Sequence, residues 1–265
     1  MDREEFRVHY QPIVSLRDCR IIGFEALLRW QRPGFGLAMP EEFVPVAEET
    51  GLILFAGLWV LREACRQMRA WNLQFPSDPE FTVAVNISGK QFAQPDLVSQ
   101  VGQILREACL DPHHLKLELT ESVTIRDVER TARILGELKS LGVRLSMDDF
   151  GTGYSSLSYM RRFQLDTLKI DRSFVSEMEN SSESRAIVQM IMSLGRCLSM
   201  EMVAEGVETA KQVSILKSLG CEYAQGYFFS KPIDQEGMVE VLLKSRGSAY
   251  RLPQQSVLLQ NVIRQ

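Results

Sequence analysis

A single polar residue or an acidic pair interrupts almost every apolar, strand-like segment of this chain. Asn86 ends one such segment, and the pair Asp148-Asp149 ends another. Taken alone, a glutamate within a strand is usually a half-exposed surface residue, and an asparagine at a strand end usually forms a turn. Most of these polar residues lie near the C-terminal end of their own segment. They are Glu25, Asn86, Glu118, Asp148, Asp149, Lys169, Glu205 and Gln225.

This set suits a divalent-cation site. Its five carboxylates would repel and desolvate one another if they met in one place, so they need cations. The candidate ligands are all oxygen donors, while the three histidines and five cysteines of the chain lie outside the pattern. Oxygen ligation favours Mg²⁺ or Mn²⁺ over zinc. Two ions would balance the charge that remains beside Lys169, and an adjacent Asp pair can supply one bridging and one terminal ligand, as two-metal phosphodiester hydrolysis requires.

Neighbouring strands would have to bring these residues together. Apolar, β-rich runs alternate with amphipathic helical patterns, and several runs are continuous, as in strands buried on both faces. This alternation predicts an α/β fold, a (β/α)8 TIM-like barrel, whose active site lies where the strand ends converge. The first two runs are joined by a short polar turn, which favours antiparallel pairing. An open doubly wound sheet remains the alternative on periodicity. The predicted strands are residues 6–16, 21–30, 81–87, 115–120, 143–150, 167–170, 202–206 and 223–229.

Composition narrows the class of protein. The 265 residues carry a net charge of −4, which gives no electrostatic reason to expect a nucleic-acid polymer as partner. The first residues lack the apolar core of a signal peptide, and the longest apolar run, residues 51–61, is too short to span a bilayer. Five scattered cysteines are typical of free thiols in a reducing compartment. We therefore expect a cytoplasmic domain without membrane insertion.

The polar positions lie within motifs that resemble the EAL family of cyclic di-GMP phosphodiesterases. The resemblance extends over residues 5–245, and its specificity comes from eight short motifs in the family's order. They are Tyr10-Gln11-Pro12-Ile13-Val14, Phe24-Glu25-Ala26-Leu27-Leu28-Arg29, Asn86-Ile87-Ser88, Glu118-Leu119-Thr120-Glu121-Ser122, Asp148-Asp149-Phe150-Gly151-Thr152-Gly153-Tyr154-Ser155-Ser156, Lys169-Ile170-Asp171, Ala204-Glu205-Gly206-Val207-Glu208-Thr209 and Gln225-Gly226-Tyr227.

The resemblance implies a barrel with an antiparallel first strand and two metal ions. The residues that match the family's ligands for one ion are Glu25, Asn86, Glu118 and Asp148. Those that match the ligands around the second are Asp148, Asp149 and Glu205. Lys169 matches the lysine that contacts the attacking water, and Gln225 matches a residue near that water. Glu205 stands either as a ligand or as a general base.

The resemblance also implies substrate and loop contacts. Gln11 and Arg29 match substrate contacts, Arg29 as a phosphate partner. Asp171 matches a residue that faces a guanine, although a helix-capping role is an equal alternative. Glu121 matches the residue that anchors the loop over residues 150–156, and as a plain helix N-terminal acid it would be unrelated to catalysis.

The implied reaction is hydrolysis of cyclic di-GMP to linear pGpG with Mg²⁺ or Mn²⁺, and with inhibition by Ca²⁺. The rivals are a catalytically silent cyclic di-GMP receptor and a phosphodiesterase for another nucleotide. The implied partners are a second copy of the chain, as a homodimer, and a sensory or GGDEF domain in a longer protein. We assign residues 1–245 to the phosphodiesterase domain and 246–265 to a C-terminal tail in which 256–263 has the pattern of a short helix.

Overall fold

Eight strands close into a barrel, which confirms the predicted fold. The computed structural model describes residues 5–121, 123, 127–151 and 157–245. The last strand pairs with the first, and the first also pairs with the second, so the sheet has no open edge within the barrel. The strands are β1 (Phe6–Ser15), β2 (Ile21–Arg32), β3 (Gly36–Ala38), β4 (Thr82–Asn86), β5 (Leu115–Thr120), β6 (Arg144–Phe150), β7 (Thr167–Ile170), β8 (Glu201–Ala204) and β9 (Tyr223–Ala224).

The first strand runs against its neighbours, as the short first turn predicts. β1 is antiparallel to both β2 and β9, whereas the barrel pairings from β2 through β4 to β9 are parallel. In the β1–β2 register Gln11 lies opposite Glu25. β3 was not predicted; it pairs with the end of β2 outside the barrel.

The last barrel strand is shorter than predicted. β9 covers two residues rather than 223–229, because the chain turns away at Gly226. A Cβ atom on Gly226 would lie 2.2 Å from the backbone nitrogen and oxygen of Val207. Only glycine permits this approach, which places the preceding Gln225 at the mouth of the barrel.

Helices cover the outside of the barrel and bury their apolar faces on it. In α2 the residues at helical spacing, among them Leu61, Met68 and Trp71, are fully buried. The Trp71 ring lies 4.7 Å from that of Tyr10 and 4.9 Å from that of Phe24, centroid to centroid. The helices are α1 (Pro40–Thr50), α2 (Ile53–Gln74), α3 (Gly89–Phe92), α4 (Leu97–Ala108), α5 (Val128–Ser140), α6 (Leu157–Phe163), α7 (Arg172–Glu177), α8 (Ser182–Cys197), α9 (Ala210–Ser218) and α10 (Gln235–Ser245).

The interior of the barrel is layered. A small apolar cluster of Ile13, Ala84 and Val203 is separate from the main core between strands and helices. Lys116, at the N-terminal end of β5, is buried with its ammonium group 3.3 Å from Glu201. The strand ends at the opposite side carry the polar set predicted from sequence.

The described part of the chain contains no helix long and apolar enough to cross a membrane. The predicted tail, residues 246–265, lies outside the described residues. Its separation from residues 1–245 as a distinct tail therefore stays a prediction.

Candidate active site

The closed barrel brings the predicted polar residues together at one mouth. Glu25 lies on β2, and Glu205 and Gln225 directly follow β8 and β9. The parallel direction of these strands places their C-terminal ends on the same side. The remaining members of the set lie on β4, β5, β6 and β7 and are Asn86, Glu118, Asp148, Asp149 and Lys169.

Lys169 lies at the centre of the set. Its Nζ atom is 2.6 Å from Glu205 Oε1 and 2.8 Å from Glu118 Oε2. It is also 3.3 Å from Asp148 Oδ1 and 3.5 Å from Glu25 Oε2. The side chain is 1% exposed. Burial disfavours the ammonium ion, but the four carboxylates outweigh burial and raise the pKa of Lys169 well above its ordinary value. Lys169 is therefore a cation over the whole physiological range.

One lysine does not balance this many carboxylates. Burial, together with repulsion from Glu25 and Asp148, raises the pKa of Glu118 well above its ordinary value despite Lys169. Burial and the same repulsion raise the pKa of Glu205 to about 8. A proton thus supplies the positive charge that the protein alone lacks, and a cation can replace it.

Glu25 behaves differently because it receives two amide hydrogen bonds. Burial favours its neutral form, but Lys169 and donation from Gln225 and Asn86 lower its pKa. Asn86 Nδ2 lies 2.7 Å from Glu25 Oε1, and Gln225 Nε2 lies 2.6 Å from Glu25 Oε2. Glu25 is therefore an ionised carboxylate held between two amides.

A local irregularity turns both members of the Asp pair towards the site. Neighbouring side chains in a regular strand point to opposite faces. Asp149 departs from this rule with a left-handed φ of 53°, and the pairing of β6 with β7 shifts register between Met147 and Phe150. One carboxylate oxygen each of Asp148, Asp149 and Glu205 lies within 4.8 Å of the others. Burial, with repulsion from Asp148 and Asp171, raises the pKa of Asp149 to about 6.

Gln11 and Asp171, two residues predicted to contact substrate, form side-chain hydrogen bonds within the protein, as Arg29 also does. Gln11 donates through Nε2 to the Ser230 carbonyl oxygen at 2.9 Å and accepts from Gln225 Nε2 at 2.8 Å. Asp171 caps α7, where its Oδ1 accepts from the backbone N–H of Ser173 at 2.9 Å. The capping alternative for Asp171 is confirmed, and a guanine contact stays a prediction.

Arg29 is buried beside the site. Its Nη1 donates to the carbonyl oxygen of Leu28 at 2.8 Å. Burial lowers its pKa, while the charges of Glu41 and Glu25 act against this shift. Arginine keeps its charge in proteins, so Arg29 remains a cation suited to a phosphate.

Glu121 lies one residue beyond β5 and is buried. Residues 152–156 of the loop that it was predicted to anchor lie outside the described residues, so the anchor role stays a prediction.

A cavity of about 810 Å³ lies beside the reaction centre rather than in it. It extends between β2, β4, the end of β5, the first three helices and the start of α5, and of the predicted site residues only Asn86 lines it. We assign the chemistry to the cluster around Lys169, where the titratable groups converge.

The Ser230 carbonyl is a contributor that the sequence did not reveal. A backbone oxygen carries no residue-type signal, and its partner Gln11 is 219 positions away along the chain. Gly226 is a second contributor, and its position directly after Gln225 is the only signal that the sequence holds for it.

Comparison with known proteins places this site in a family. The profile described as "EAL domain" matches residues 1–232. The chain belongs to the EAL domain family. It is 46% identical over 239 residues to the bifunctional diguanylate cyclase/cyclic di-GMP phosphodiesterase MucR of Pseudomonas aeruginosa. The matched residues cover 90% of this chain and 35% of MucR. It is 41% identical over 246 residues to the cyclic di-GMP phosphodiesterase NbdA of the same species, covering 93% of this chain and 31% of NbdA.

Solved structures of EAL domains have the same fold. The PaMucR phosphodiesterase in complex with c-di-GMP superposes with a TM-score of 0.87 at 46% identity, covering 89% of this chain and 95% of that one. The EAL enzyme Bd1971, with cAMP and cyclic di-GMP bound, has a TM-score of 0.87 at 34% identity, covering 91% of this chain and 65% of that one. This EAL domain spans about a third of the length of the MucR and NbdA chains.

Proposed function

We propose that this EAL domain hydrolyses one 3′–5′ phosphodiester of cyclic di-GMP and releases linear pGpG. Water adds to phosphorus, the bond from phosphorus to the 3′ oxygen breaks, and the 3′ oxygen takes up a proton. The observation that carries the proposal is the cluster of four carboxylates within 3.5 Å of the buried Lys169 ammonium. The cyclic di-GMP phosphodiesterase names of MucR and NbdA support the choice of substrate.

The donor set fits two Mg²⁺ or Mn²⁺ ions. The residues that would hold one ion are Glu25, Asn86, Glu118 and Asp148, and those that would hold the second are Asp148, Asp149 and Glu205. All offer oxygen, and the raised pKa values of Glu118 and Glu205 report an excess of negative charge that divalent cations would relieve. Bound ions of this kind lower the pKa of water and neutralise charge on a phosphate.

The side chains of this domain supply orientation and proton transfer. Lys169 carries a permanent charge 2.6 Å from Glu205, so the pair can hold the attacking water by donating from one side and accepting from the other. With divalent cations bound, Glu205 would be ionised, and its carboxylate could accept the proton that the attacking water gives up. Arg29 is proposed to hold the phosphate, and Asp171 to face a guanine at the N-terminus of α7.

The deciding experiment measures turnover of cyclic di-GMP by the purified protein, with pGpG separated by chromatography. We expect product with Mg²⁺ or Mn²⁺ and none with a chelator. We expect Ca²⁺ to inhibit, because it is larger, prefers longer bonds and more ligands, and polarises water less. The conservative variant Glu25→Gln keeps the size of the side chain and removes its charge, so it should bind substrate without turning it over.

Two outcomes would replace this proposal. Binding of cyclic di-GMP without any turnover under all metal conditions would identify a silent receptor. Faster turnover of a different cyclic nucleotide than of cyclic di-GMP would reassign the substrate.

We also propose that the domain works in the cytoplasm, as a homodimer and beside a sensory or GGDEF domain of a longer protein. Sedimentation of the purified domain tests the dimer: a single monomeric species at the assay concentration would contradict it.

A further inference from the structure

A chain of amide groups connects the backbone after Gly226 to Glu25. The Ser230 carbonyl accepts from Gln11 Nε2 at 2.9 Å, and Gln11 Oε1 accepts from Gln225 Nε2 at 2.8 Å. The same Gln225 nitrogen donates to Glu25 Oε2 at 2.6 Å. Both glutamines are buried, with Gln11 7% and Gln225 4% exposed. No charged group other than Glu25 takes part in this chain.

The two acceptors that end this series of hydrogen bonds, the Ser230 carbonyl and the Glu25 carboxylate, decide which way both glutamine amides point. The orientation of a glutamine amide is normally ambiguous, because its nitrogen and oxygen have the same shape. Here a backbone carbonyl stands at one end and an ionised carboxylate at the other, and both can only accept. Gln11 must present its nitrogen to Ser230 and therefore its oxygen to Gln225. A flipped Gln225 would place its oxygen against two acceptors at once, Gln11 Oε1 and Glu25 Oε2.

The carbonyl at the far end is held in place by the backbone. Tyr10, next to Gln11, exchanges two backbone hydrogen bonds with Ile233, at 2.7 and 3.1 Å. The Ser230 N–H donates to the Gly226 carbonyl oxygen at 3.1 Å. The acceptor for Gln11 is therefore part of a turn braced against β1 rather than a mobile loop.

The forced orientation leaves one atom available. Gln225 Oε1 is buried and has no hydrogen-bond partner among the residues that the structure describes. A buried acceptor without a partner destabilises the folded state, and a donor such as a bound water would relieve this penalty. Gln11 therefore determines both the hydrogen bond that Gln225 donates to Glu25 and the direction in which Gln225 offers its oxygen.

We propose that Gln11 is a positioning residue that acts through Gln225 on Glu25, and that substrate contact is not its main role. The proposal rests on the phosphodiesterase function proposed above. Both polar ends of Gln11 already have partners in the protein, so its loss should disturb the metal ligand Glu25 and the rate more than substrate affinity.

A double-mutant cycle tests the proposal with Gln11→Met, Gln225→Met and the pair combined. Methionine keeps the length of glutamine without hydrogen bonds. The readouts are kcat, KM for cyclic di-GMP, and Mn²⁺ affinity by calorimetry without substrate. We expect Gln11→Met to lower kcat and Mn²⁺ affinity, with kcat falling about tenfold, as for other residues that orient a ligand, and KM unchanged within about twofold. In the Gln225→Met background the same change should cost less than about twofold.

The matched control is Gln67→Met, which removes a buried glutamine of α2, 2% exposed, outside the site. It should leave kcat, KM and Mn²⁺ affinity unchanged. If Gln11→Met does not fold, Gln11→Asn keeps an amide but is one methylene too short to span both partners, and the same changes are expected.

A rise in KM at constant kcat for Gln11→Met would identify a substrate contact and overturn the proposal. Full additivity of the two substitutions, or wild-type behaviour of Gln11→Met, would overturn it as well. If the wild-type domain does not turn over cyclic di-GMP, the proposed function fails, and the coupling in Mn²⁺ affinity still decides the role of Gln11.

Discussion

Lys169 and its carboxylates form a cluster whose charges are unbalanced within the protein. The lysine satisfies several acceptors at once, and protons on the carboxylates with raised pKa values carry the remaining positive charge. Metal ions would have to displace these protons, since carboxylates bind them in the ionised form. Metal binding at this site should therefore depend on pH near neutrality.

We predict that Mn²⁺ binding releases protons between pH 6 and 8. Glu205, with a pKa of about 8, is mostly protonated at pH 7, and Asp149, with a pKa of about 6, adds protons at the lower end. Because proton and metal compete for the same oxygens, Mn²⁺ affinity should fall as pH falls from 8 to 6. Calorimetry in buffers with different ionisation enthalpies measures both effects. Glu205→Gln should release fewer protons, and an affinity independent of pH over this range would refute the linkage.

We predict that Glu25→Ala and Asp148→Ala each abolish hydrolysis while the fold persists. Each removes a proposed ligand and also relieves repulsion in a crowded anionic site, so metal affinity should suffer more than stability. Turnover should fall by more than about 100-fold at saturating Mg²⁺. Glu107→Ala, which removes a half-exposed carboxylate of α4, is the control and should retain wild-type turnover. Near-normal turnover by either site variant would remove that residue from the ligand set.

At the scale of elements, the ends of β6 and β9 depart from regular strand geometry. These departures position the carboxylate of Asp149 and the amide of Gln225. The left-handed backbone at Asp149 brings neighbouring carboxylates to one side of the sheet. Such a conformation is costly for a non-glycine residue and persists where the surroundings impose it. Two residues beyond lies Gly151, with φ of 100°, within the loop over residues 150–156 that Glu121 is predicted to anchor.

We predict that Glu121→Ala lowers turnover about tenfold or more, which is about 1.4 kcal/mol on the barrier. Glu121 is buried one residue beyond β5, and its neighbour Thr120 pairs with Asp148 of β6, beside the proposed ligand Asp149 that precedes the loop over residues 150–156. Loosening that loop would misplace the ligand without deleting it. Turnover and Mn²⁺ titrations should show a smaller loss of metal affinity than in Glu118→Ala.

The matched variant Glu121→Gln separates the anchor from a helix-dipole role. A glutamine still accepts hydrogen bonds but lacks the charge that favours a helix N-terminus. Wild-type kinetics in both variants would show that Glu121 acts only on local helix stability.

At the scale of the whole molecule, the barrel separates its reaction mouth from a structural polar layer. An apolar layer of Ile13, Ala84 and Val203 lies inside the barrel between these two ends. At the N-terminal ends of the strands, Lys116 contacts Glu201 at 3.3 Å, and Arg144 lies 3.7 Å from the same carboxylate. Burial lowers the pKa of Lys116 although Glu201 opposes the shift. Desolvation of the Lys116 ammonium group therefore reduces the stability of the fold.

We predict that Lys116→Met changes the free energy of unfolding by less than about 1 kcal/mol, because an apolar side chain of similar length replaces a desolvated charge. Glu201 is not stranded, since its side chain is 37% exposed and Arg144 stays near it. Lys116→Ala should cost about 2 kcal/mol or more through the cavity that it leaves. Denaturant unfolding measures both, and kcat should be unchanged in both. A drop in kcat with Lys116→Met would show that the two ends of the barrel are coupled.

The sequence alone indicated the strands and the candidate site residues, because both follow from which residue types stand next to one another along the chain. Apolar runs with one polar residue near their ends located the eight barrel strands, and the motifs around Glu25, Asp148 and Glu205 indicated the family. Their oxygen donors indicated a cation site, because ligand chemistry depends on residue type. The antiparallel first hairpin was also predictable, since a short polar turn leaves no room for a crossover.

Only the tertiary structure decided how these residues meet. Barrel closure sets Gln11 against both Ser230 and Gln225, although more than 200 positions separate it from each along the chain. The register shift beside Asp149 and the close approach of Gly226 to Val207 depend on strands that are distant in sequence. Protonation of Glu118 and Glu205 depends on the distances among four buried carboxylates and Lys169. Electrostatic energies vary steeply with distance and burial, and neither quantity exists until the barrel has closed.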